Sequence, residues 1–344
     1  MKNEQGWLLP LTRRRWLAAA GAALALAACA PMTGAPSGAD PLPSWNEGAN
    51  KQRIVDFVKA VTTEGGKDYV APGDRIAVFD NDGTLWLEYP MYTQVLFVFD
   101  RIRQLAPQHP EWKTKEPYKS LLAGDMKGVM ASGEKGLFEM VLVAQSGTTT
   151  EEFAELSRQW IAAARDPRFK RPYTELTYQP MQEVLAYLRA NDFKTFIVSG
   201  GSVEFMRGFT QETYGIPYEQ VIGTRQKLAF EVKDGKPMVM MLPQLESNDD
   251  KQGKPINIAA IIGQRPIAAF GNSDGDFQML QWTTAGSGAR LGMLVHHDDA
   301  AREYAYDRNS AVGKLADGLD QYQAMGWGLI SMKNDWKLIF APAK

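Results

Sequence analysis

Three short apolar runs in this chain end in residues able to do chemistry. Arg75-Ile76-Ala77-Val78-Phe79 leads straight into Asp80-Asn81-Asp82-Gly83-Thr84. The run 195–198 leads into Ser199-Gly200-Gly201, and the run 266–270 into a polar loop holding Asn272, Asp274 and Asp276. In an open parallel sheet, ligands bind beyond the carboxyl ends of the strands, so these three ends form one constellation. Each part also has a purely structural reading. Asp80-Asn81-Asp82-Gly83 is good turn sequence, since Asp, Asn and Gly are standard turn formers, and Ser199 before two glycines would cap a helix. Lys254 directly precedes Pro255 at the start of a helical stretch, as a helix-opening residue would. Lys251 competes with it, and either lysine could simply be solvated.

Other groups invite chemistry less strongly. His296-His297-Asp298-Asp299 follows a strand-like run and suggests a metal site, yet His109 is the one other histidine. Adjacent strand residues point to opposite faces, so a polar loop near the rim is expected instead. Met238, Met240 and Met241 read as a packed hairpin strand rather than a soft-metal site. Trp86, Tyr89, Tyr92, Trp112 and Trp160 could enclose a cation, although such residues more often belong to a core.

The elements that position these residues alternate. Residues 52–62 have helical apolar spacing, with Ile54, Val55, Phe57, Val58 and Val61. Helices are expected over 181–190, 203–213 and 255–262, strands over 75–79, 195–198, 266–270 and 290–295, and a hairpin over 228–242 about Asp234-Gly235. Strands alternating with helices predict an α/β fold: a doubly wound parallel sheet covered on both faces. The helical stretch 90–171 is too long for a crossover and is expected to be an inserted cap domain, leaving 48–89 and 172–344 as the core.

Phe79-Asp80-Asn81-Asp82-Gly83-Thr84-Leu85 resembles the first motif of the haloacid dehalogenase superfamily. Val198-Ser199-Gly200 resembles its second, Lys254 its third, and Gly271-Asn272-Ser273-Asp274-Gly275-Asp276 its fourth. The four occur in order, and the layout resembles the capped phosphoserine phosphatase branch. The resemblance implies a Rossmann-like core and a covalent mechanism in which Asp80 attacks phosphorus to form an aspartyl-phosphate. Asp82 would protonate the leaving alkoxide and then deprotonate water; dehalogenating members lack an acid there. Ser199 would hydrogen-bond a phosphoryl oxygen and Lys254 would neutralise charge, with Thr84, Gly200 and Glu88 as substrate contacts. The implied cofactor is Mg2+, which takes oxygen ligands and keeps several waters. Asp80, the Asp82 carbonyl, Asn272 and Asp276 are the expected protein ligands, with Asp274 competing with Asp276. Asn272 departs from the pattern, which begins Gly-Asp; an amide oxygen can ligate but brings no charge. Glu88 sits one residue closer to the first motif than the substrate-binding Glu of phosphoserine phosphatases.

The formal net charge is −2, with 44% hydrophobic and 23% charged residues, so no basic surface calls for nucleic acid. The basic run Arg13-Arg14-Arg15 before the apolar residues 17–28 is expected to be an export signal, too short to stay as a membrane span. It resembles both a twin-arginine and a general secretory signal. Leu26-Ala27-Ala28-Cys29 resembles a bacterial lipobox, which implies that Cys29 carries a lipid and anchors the protein to a membrane of the cell envelope, periplasmic if the cell is Gram-negative. Cys29 is the only cysteine, so no intrachain disulfide can form. Residues 29–47, rich in Pro, Gly, Ser and Ala, are expected to be a tether.

The resulting expectation is a Mg2+-dependent phosphomonoester hydrolase acting on small organic phosphates in the cell envelope. Phosphoserine-like and phosphocholine-like esters are the candidates, the second only if the aromatic box forms. A phosphotransferase, or a lipid-anchored binding protein weakened by Asn272, are the alternatives.

Overall fold

Strand β1 (Ile76–Phe79) is buried at every position, which is why its sequence is apolar without alternation. The computed structural model describes residues 40–343. The proposed signal, the lipobox cysteine and most of the proposed tether lie outside the described residues. Helix α1 (Ala49–Thr62) precedes β1, and five helices follow it: α2 (Thr93–Leu105), α3 (Tyr118–Leu122), α4 (Met126–Ala131), α5 (Gly133–Gln145) and α6 (Thr150–Ala163). The chain continues through α7 (Gln179–Ala190), β2 (Lys194–Ser202), α8 (Val203–Arg207), α9 (Thr210–Tyr214), β3 (Val221–Lys233), β4 (Lys236–Ser247) and α10 (Gly253–Ile262). It ends with β5 (Ala268–Gly271), α11 (Phe277–Thr284), β6 (Leu291–Asp298), β7 (Ala305–Tyr306), α12 (Asp317–Gln321), β8 (Gly328–Ser331) and α13 (Met332–Asp335).

The sheet runs β4-β3-β2-β1-β5-β6-β7, with β8 also paired to β6. β1 pairs in parallel with β2 and β5; β2–β3, β5–β6 and β6–β8 are parallel as well, while β3–β4 and β6–β7 are antiparallel. The chain therefore builds outward from β1 on one side, then crosses over and builds outward on the other. That reversal makes β1 the switch point of the sheet, where a binding crevice is expected. Alternate strand residues serve two cores. Ala77 and Phe79 join Ile54, Val58, Val184 and Leu188 of α1 and α7. Ile76 and Val78 join Ile258, Met279 and Leu280 of α10 and α11. Both faces are covered, as expected for a doubly wound α/β fold.

The helices α2 to α6 occupy most of the stretch 90–171, and they belong to the same compact unit as the sheet. They are stitched to it by main chain: Gly147 N donates to Met241 O at 3.1 Å and Met241 N to Thr148 O at 3.0 Å. The hairpin turns at Asp234 (φ 52°) and Gly235 (φ 74°), left-handed residues that suit a two-residue turn. It is longer than its apolar pattern: the first part of β3 pairs with β2 inside the core sheet, and only the remainder forms the hairpin. The helix expected over 203–213 is broken near Gly208 into α8 and α9. Among the described residues, no helix is long and apolar enough to cross a membrane.

Residues 42–47 correct the tether. Leu42 and Trp45 are fully buried. Trp45 Nε1 donates to Pro180 O at 3.0 Å, its ring meets Trp336 edge-on at 6.0 Å, and Asn46 N donates to Asp335 O at 2.7 Å. A Pro- and Ser-rich composition concealed a docked segment, because two apolar side chains suffice to hold it. Trp45→Ala should destabilise the fold by about 3–5 kcal/mol, read as a shift in the urea midpoint with unchanged slope.

Candidate active site

Sheet register delivers the candidate residues to one place. Phe79 lies opposite Ile197 on β2 and Phe270 on β5. Asp80, Ser199 and Asn272 therefore follow one or two residues beyond the same level, and Asp80 N donates to Phe270 O at 2.9 Å. The two phenylalanines stack beneath them, with ring centroids 4.6 Å apart and ring planes nearly parallel.

Lys254, in the first turn of α10, closes the arrangement from above. Its side chain is buried, and its Nζ lies 2.7 Å from each of Asp80 Oδ1, Asp276 Oδ1 and Val198 O. Lys251 is exposed and takes no part. Burial alone would lower the Lys254 pKa, but the Asp276 and Asp80 charges outweigh it and the net shift is upward, so the ammonium stays charged. Burial, then the Asp276 charge, pushes Asp80 well above the ordinary carboxylate range, with Lys254 pulling the other way. Asp82 is partly accessible, and its Oδ1 accepts from Trp86 Nε1 at 2.8 Å. Burial pushes its pKa up to about 6, against the opposing pull of Trp86 and Lys254. A carboxyl of that kind gains and loses a proton near neutral pH, as an acid–base group must.

The turn that carries Asp82 depends on Gly83. Its φ of 73° is left-handed, and a Cβ there would lie 2.1 Å from Asn272 Nδ2 and 2.4 Å from Glu88 Oε1. Such an approach lets the first and fourth loops touch. Thr84 Oγ1 donates to Asn272 Oδ1 at 3.0 Å, and Asn272 Nδ2 donates to Glu88 Oε1 at 2.7 Å. Thr84 is fully buried, so the expected substrate contact becomes a tie between the two loops. Glu88 is likewise buried, and Tyr306 Oη donates to its Oε1 at 2.9 Å. Burial, then the Asp82 charge, pushes Glu88 well above its usual range. Its Oε1 braces the loops, which corrects the expectation of a plain substrate contact.

The fourth loop divides its acids. Asp274 accepts from Ala316 N at 2.9 Å and Gly318 N at 3.1 Å, so it caps α12 rather than entering the site. Asp276 is fully buried. Its Oδ2 accepts from Asn272 N and Ser273 N at 3.0 Å each, while its Oδ1 faces the Lys254 ammonium. The expectation that Asp276 ligates a metal gives way to a bracing role, because its Oδ2 is taken by two amides and its Oδ1 by the Lys254 charge, whereas only one Asp80 oxygen is engaged by Lys254. The oxygens that suit an ion are then an Asp80 carboxylate oxygen, the Asp82 carbonyl and Asn272 Oδ1. All are hard donors, the set Mg2+ prefers, so these residues fit that ion. Among the described residues, no group of three or more His, Cys, Asp or Glu side chains is arranged to hold a metal. A site here is necessarily mixed, with a carbonyl and an amide completing it.

Ser199 is buried, and its Oγ accepts from Gly201 N at 3.2 Å, leaving the hydroxyl hydrogen to donate; Gly200 beside it is exposed. A Cβ on Gly201 would lie 3.8 Å from Asp82 Oδ2 and 3.0 Å from Gln94 Oε1, so the end of β2, which runs past the expected 195–198 to Ser202, adjoins both the first loop and the helical insert. Gln94 of α2 and Gln145 of α5 hold that strand end: Ser202 N donates to Gln94 Oε1 and Ser202 Oγ to Gln145 Oε1, both at 2.8 Å. Nothing in the sequence marks these two glutamines, which lie on helices whose periodicity shows only apolar positions.

The five aromatics do not form one box. Trp86 stacks on Phe209, Trp112 on Tyr118, and Trp160 packs against Phe97. Tyr89 stacks on Tyr306, and Tyr92 Oη accepts from Gly313 N at 3.1 Å. The phosphocholine-like candidate loses its premise with the box. His296 and His297 point apart, as the strand pattern requires: His296 is half-buried near Asp307, and His297 is buried with Nε2 2.8 Å from Gly83 O.

A model of the haloacid dehalogenase-like hydrolase family matches residues 77–281. Among solved structures, a conserved protein of unknown function from Anaerococcus prevotii is similar over 86% of this chain and 96% of its own, at 16% identity and TM-score 0.52. It shares the fold. A protein of unknown function from Bordetella pertussis aligns over 74% of this chain and 97% of its own, at 17% identity and TM-score 0.46. A phosphoserine phosphohydrolase-like protein from Francisella tularensis aligns over 73% and 99%, at 16% identity and TM-score 0.37. No curated protein matches the chain.

Lys254→Met would leave Asp80 and Asp276 buried without their counter-charge, an expected loss of about 3–5 kcal/mol near neutral pH. With the ammonium gone, the folded state holds carboxyl protons more tightly than the unfolded chain does. The loss should therefore grow as pH rises from 5 to 8 and shrink on acidification, which denaturant titrations at several pH values would measure.

Proposed function

The chain belongs to the haloacid dehalogenase-like hydrolase family, and on that premise we propose that it is a phosphomonoester hydrolase working through an aspartyl-phosphate on Asp80. One observation carries the reading: a charged, buried lysine holds the Asp80 carboxylate 2.7 Å away, next to a second carboxyl, Asp82, poised near neutrality. A nucleophile and an acid–base group in adjoining positions suit a two-step displacement.

In the first step an Asp80 oxygen bonds to phosphorus, the ester P–O bond breaks, and the protonated Asp82 gives its proton to the leaving oxygen. In the second, the ionised Asp82 takes a proton from water, whose oxygen attacks phosphorus. The aspartyl P–O bond then breaks and inorganic phosphate leaves. Ser199 Oγ–H and the exposed Gly200 amide offer donors to phosphoryl oxygens, and Lys254 offsets the negative charge shared by Asp80 and the transferring group. Mg2+, held by Asp80, the Asp82 carbonyl and Asn272, would supply further positive charge and favour the ionised form of Asp80. The helical insert, anchored on the loop after Ser199, acts as a cap that limits access to small organic phosphates. Export and a lipid on Cys29 would place this activity in the cell envelope, a part of the proposal that rests on the N-terminal residues alone.

Hydrolysis of an aryl phosphate with and without Mg2+ tests the reading. Asp80→Asn should lower kcat by at least about a thousandfold, and full activity in that variant would overturn the mechanism. The acid form of Asp82 is lost as pH rises through about 6. For an alkyl phosphate, whose leaving group needs the proton, kcat should fall above that pH. For an aryl phosphate with a good leaving group, the fall should be weaker, and Asp82→Asn should abolish the difference between the two profiles.

A further inference from the structure

The end of β6 and the segment that follows it lie beyond residue 281, where the family match ends, yet they reach into the site at two points. His297 is buried between two acceptors. Its Nε2 lies 2.8 Å from Gly83 O and its Nδ1 3.3 Å from Glu303 Oε2. Glu303 is fully buried and held in turn, with Tyr178 Oη donating to its Oε1 at 3.2 Å and Tyr304 N to its Oε2 at 2.6 Å. The imidazole thus forms a strut between an anchored carboxylate and the peptide that follows Gly83. Nine residues on, Tyr306 stacks on the same imidazole, with ring centroids 4.4 Å apart, and donates to Glu88 Oε1. Glu88 accepts from the Asn272 amide at 2.7 Å.

We propose that residues 297–306 form a strap that positions the reacting groups, with His297 fixing the turn that aims Asp82 and Tyr306 fixing, through Glu88, the amide of Asn272. Neither residue touches the substrate; both are positioning residues, and the inference rests on the phosphatase reading for its catalytic consequence. The physical case is one of constraint. Gly83 sits in a left-handed conformation, open to it but not forced by its own sequence, since glycine populates both hands about equally. A hydrogen bond to its carbonyl orients the next peptide plane and removes that freedom. The Asn272 amide is held in the same way from both ends: Thr84 supplies a hydroxyl hydrogen to its oxygen, and Glu88, acceptor-only when ionised and still an acceptor at Oε1 when protonated, draws its N–H2. The amide's orientation is thereby fixed, and Oδ1, which accepts from Thr84, keeps a second lone pair.

The test uses the full-length protein and three substitutions. His297→Phe keeps a ring but removes both hydrogen bonds. His297→Gln retains an N–H near the Nε2 position. Tyr306→Phe keeps the stack and removes only the hydroxyl. Hydrogen–deuterium exchange of a peptide spanning residues 80–88 should quicken about tenfold in His297→Phe and return to within about threefold of wild type in His297→Gln. With an aryl phosphate, kcat should fall about tenfold in His297→Phe and several-fold in Tyr306→Phe, while KM stays within about twofold, and His297→Gln should recover most of kcat. Unchanged exchange and kcat in both Phe variants would overturn the strap, as would a Gln variant as impaired as the Phe variant. Exchange reads the loop whether or not the wild-type protein hydrolyses phosphate esters. Absent wild-type activity therefore counts against the phosphatase reading, while exchange still judges the strap.

Discussion

One buried ammonium faces three oxygens from three parts of the sheet's rim, hydrogen-bonding to Asp80 Oδ1 and Val198 O and ion-pairing with Asp276 Oδ1. Lys254 binds the carboxylate after β1, the main chain of β2 and the carboxylate that folds the loop after β5. Removing an ion from water costs several kcal/mol even after relaxation, so a buried lysine persists only where partners replace its hydration. Here that requirement acts as a geometric condition. β1, β2 and β5 must hold the register that brings Phe79 opposite both Ile197 and Phe270, or the ammonium loses an acceptor. The core packing and the chemistry are therefore coupled: the strand order that buries Phe79 against Phe270 also sets the spacing of the carboxylates above them.

Asn272 and Glu88 are best understood as a matched pair. A carboxylate at 272 would stand where the amide nitrogen now approaches Glu88 Oε1 at 2.7 Å, setting two acids against each other in a buried site that already contains Asp80, Asp82 and Asp276. The amide turns that contact into a hydrogen bond. It also lowers the negative charge available to a cation, so the loss of one carboxylate at 272 and the retention of another at 88 are two sides of one electrostatic balance. Asn272 on this view reflects its buried surroundings rather than a decayed site.

Strand ends are the most legible feature of the sequence: β1 and β5 are buried and apolar throughout and stop where the polar loops begin, whereas β2 runs on through Ser199 to Ser202. That is why the sequence alone assigns Asp80, Ser199 and the loop 272–276 to one rim. The choice between Asp274 and Asp276 was not legible, since both are acids in the same turn. It is settled by which one finds the amides of α12, an element of short helix and weak pattern. Trp45 is hidden for a related reason: composition averages over a segment, and two apolar side chains, Leu42 and Trp45, anchor a stretch whose other members look like linker. His297 was recognised as polar and near the rim, but its partner is a main-chain carbonyl 214 positions away. No spacing rule reaches that far.

The helical insert poses the same problem at larger scale. Its apolar periodicity predicts helices and a cap, but its hold on the site is polar. Gln94 and Gln145 come from two separate helices, and both close on Ser202, three residues after Ser199. Two buried amides on one serine make the second loop responsive to the packing of α2 against α5, because displacing either helix would strand a buried polar group at a cost of about 1–3 kcal/mol. An insert fastened in this way is tied to the end of β2. The packing of α2 against α5 and the position of Ser202 are set by the same two contacts, so a change at either glutamine is felt on both sides.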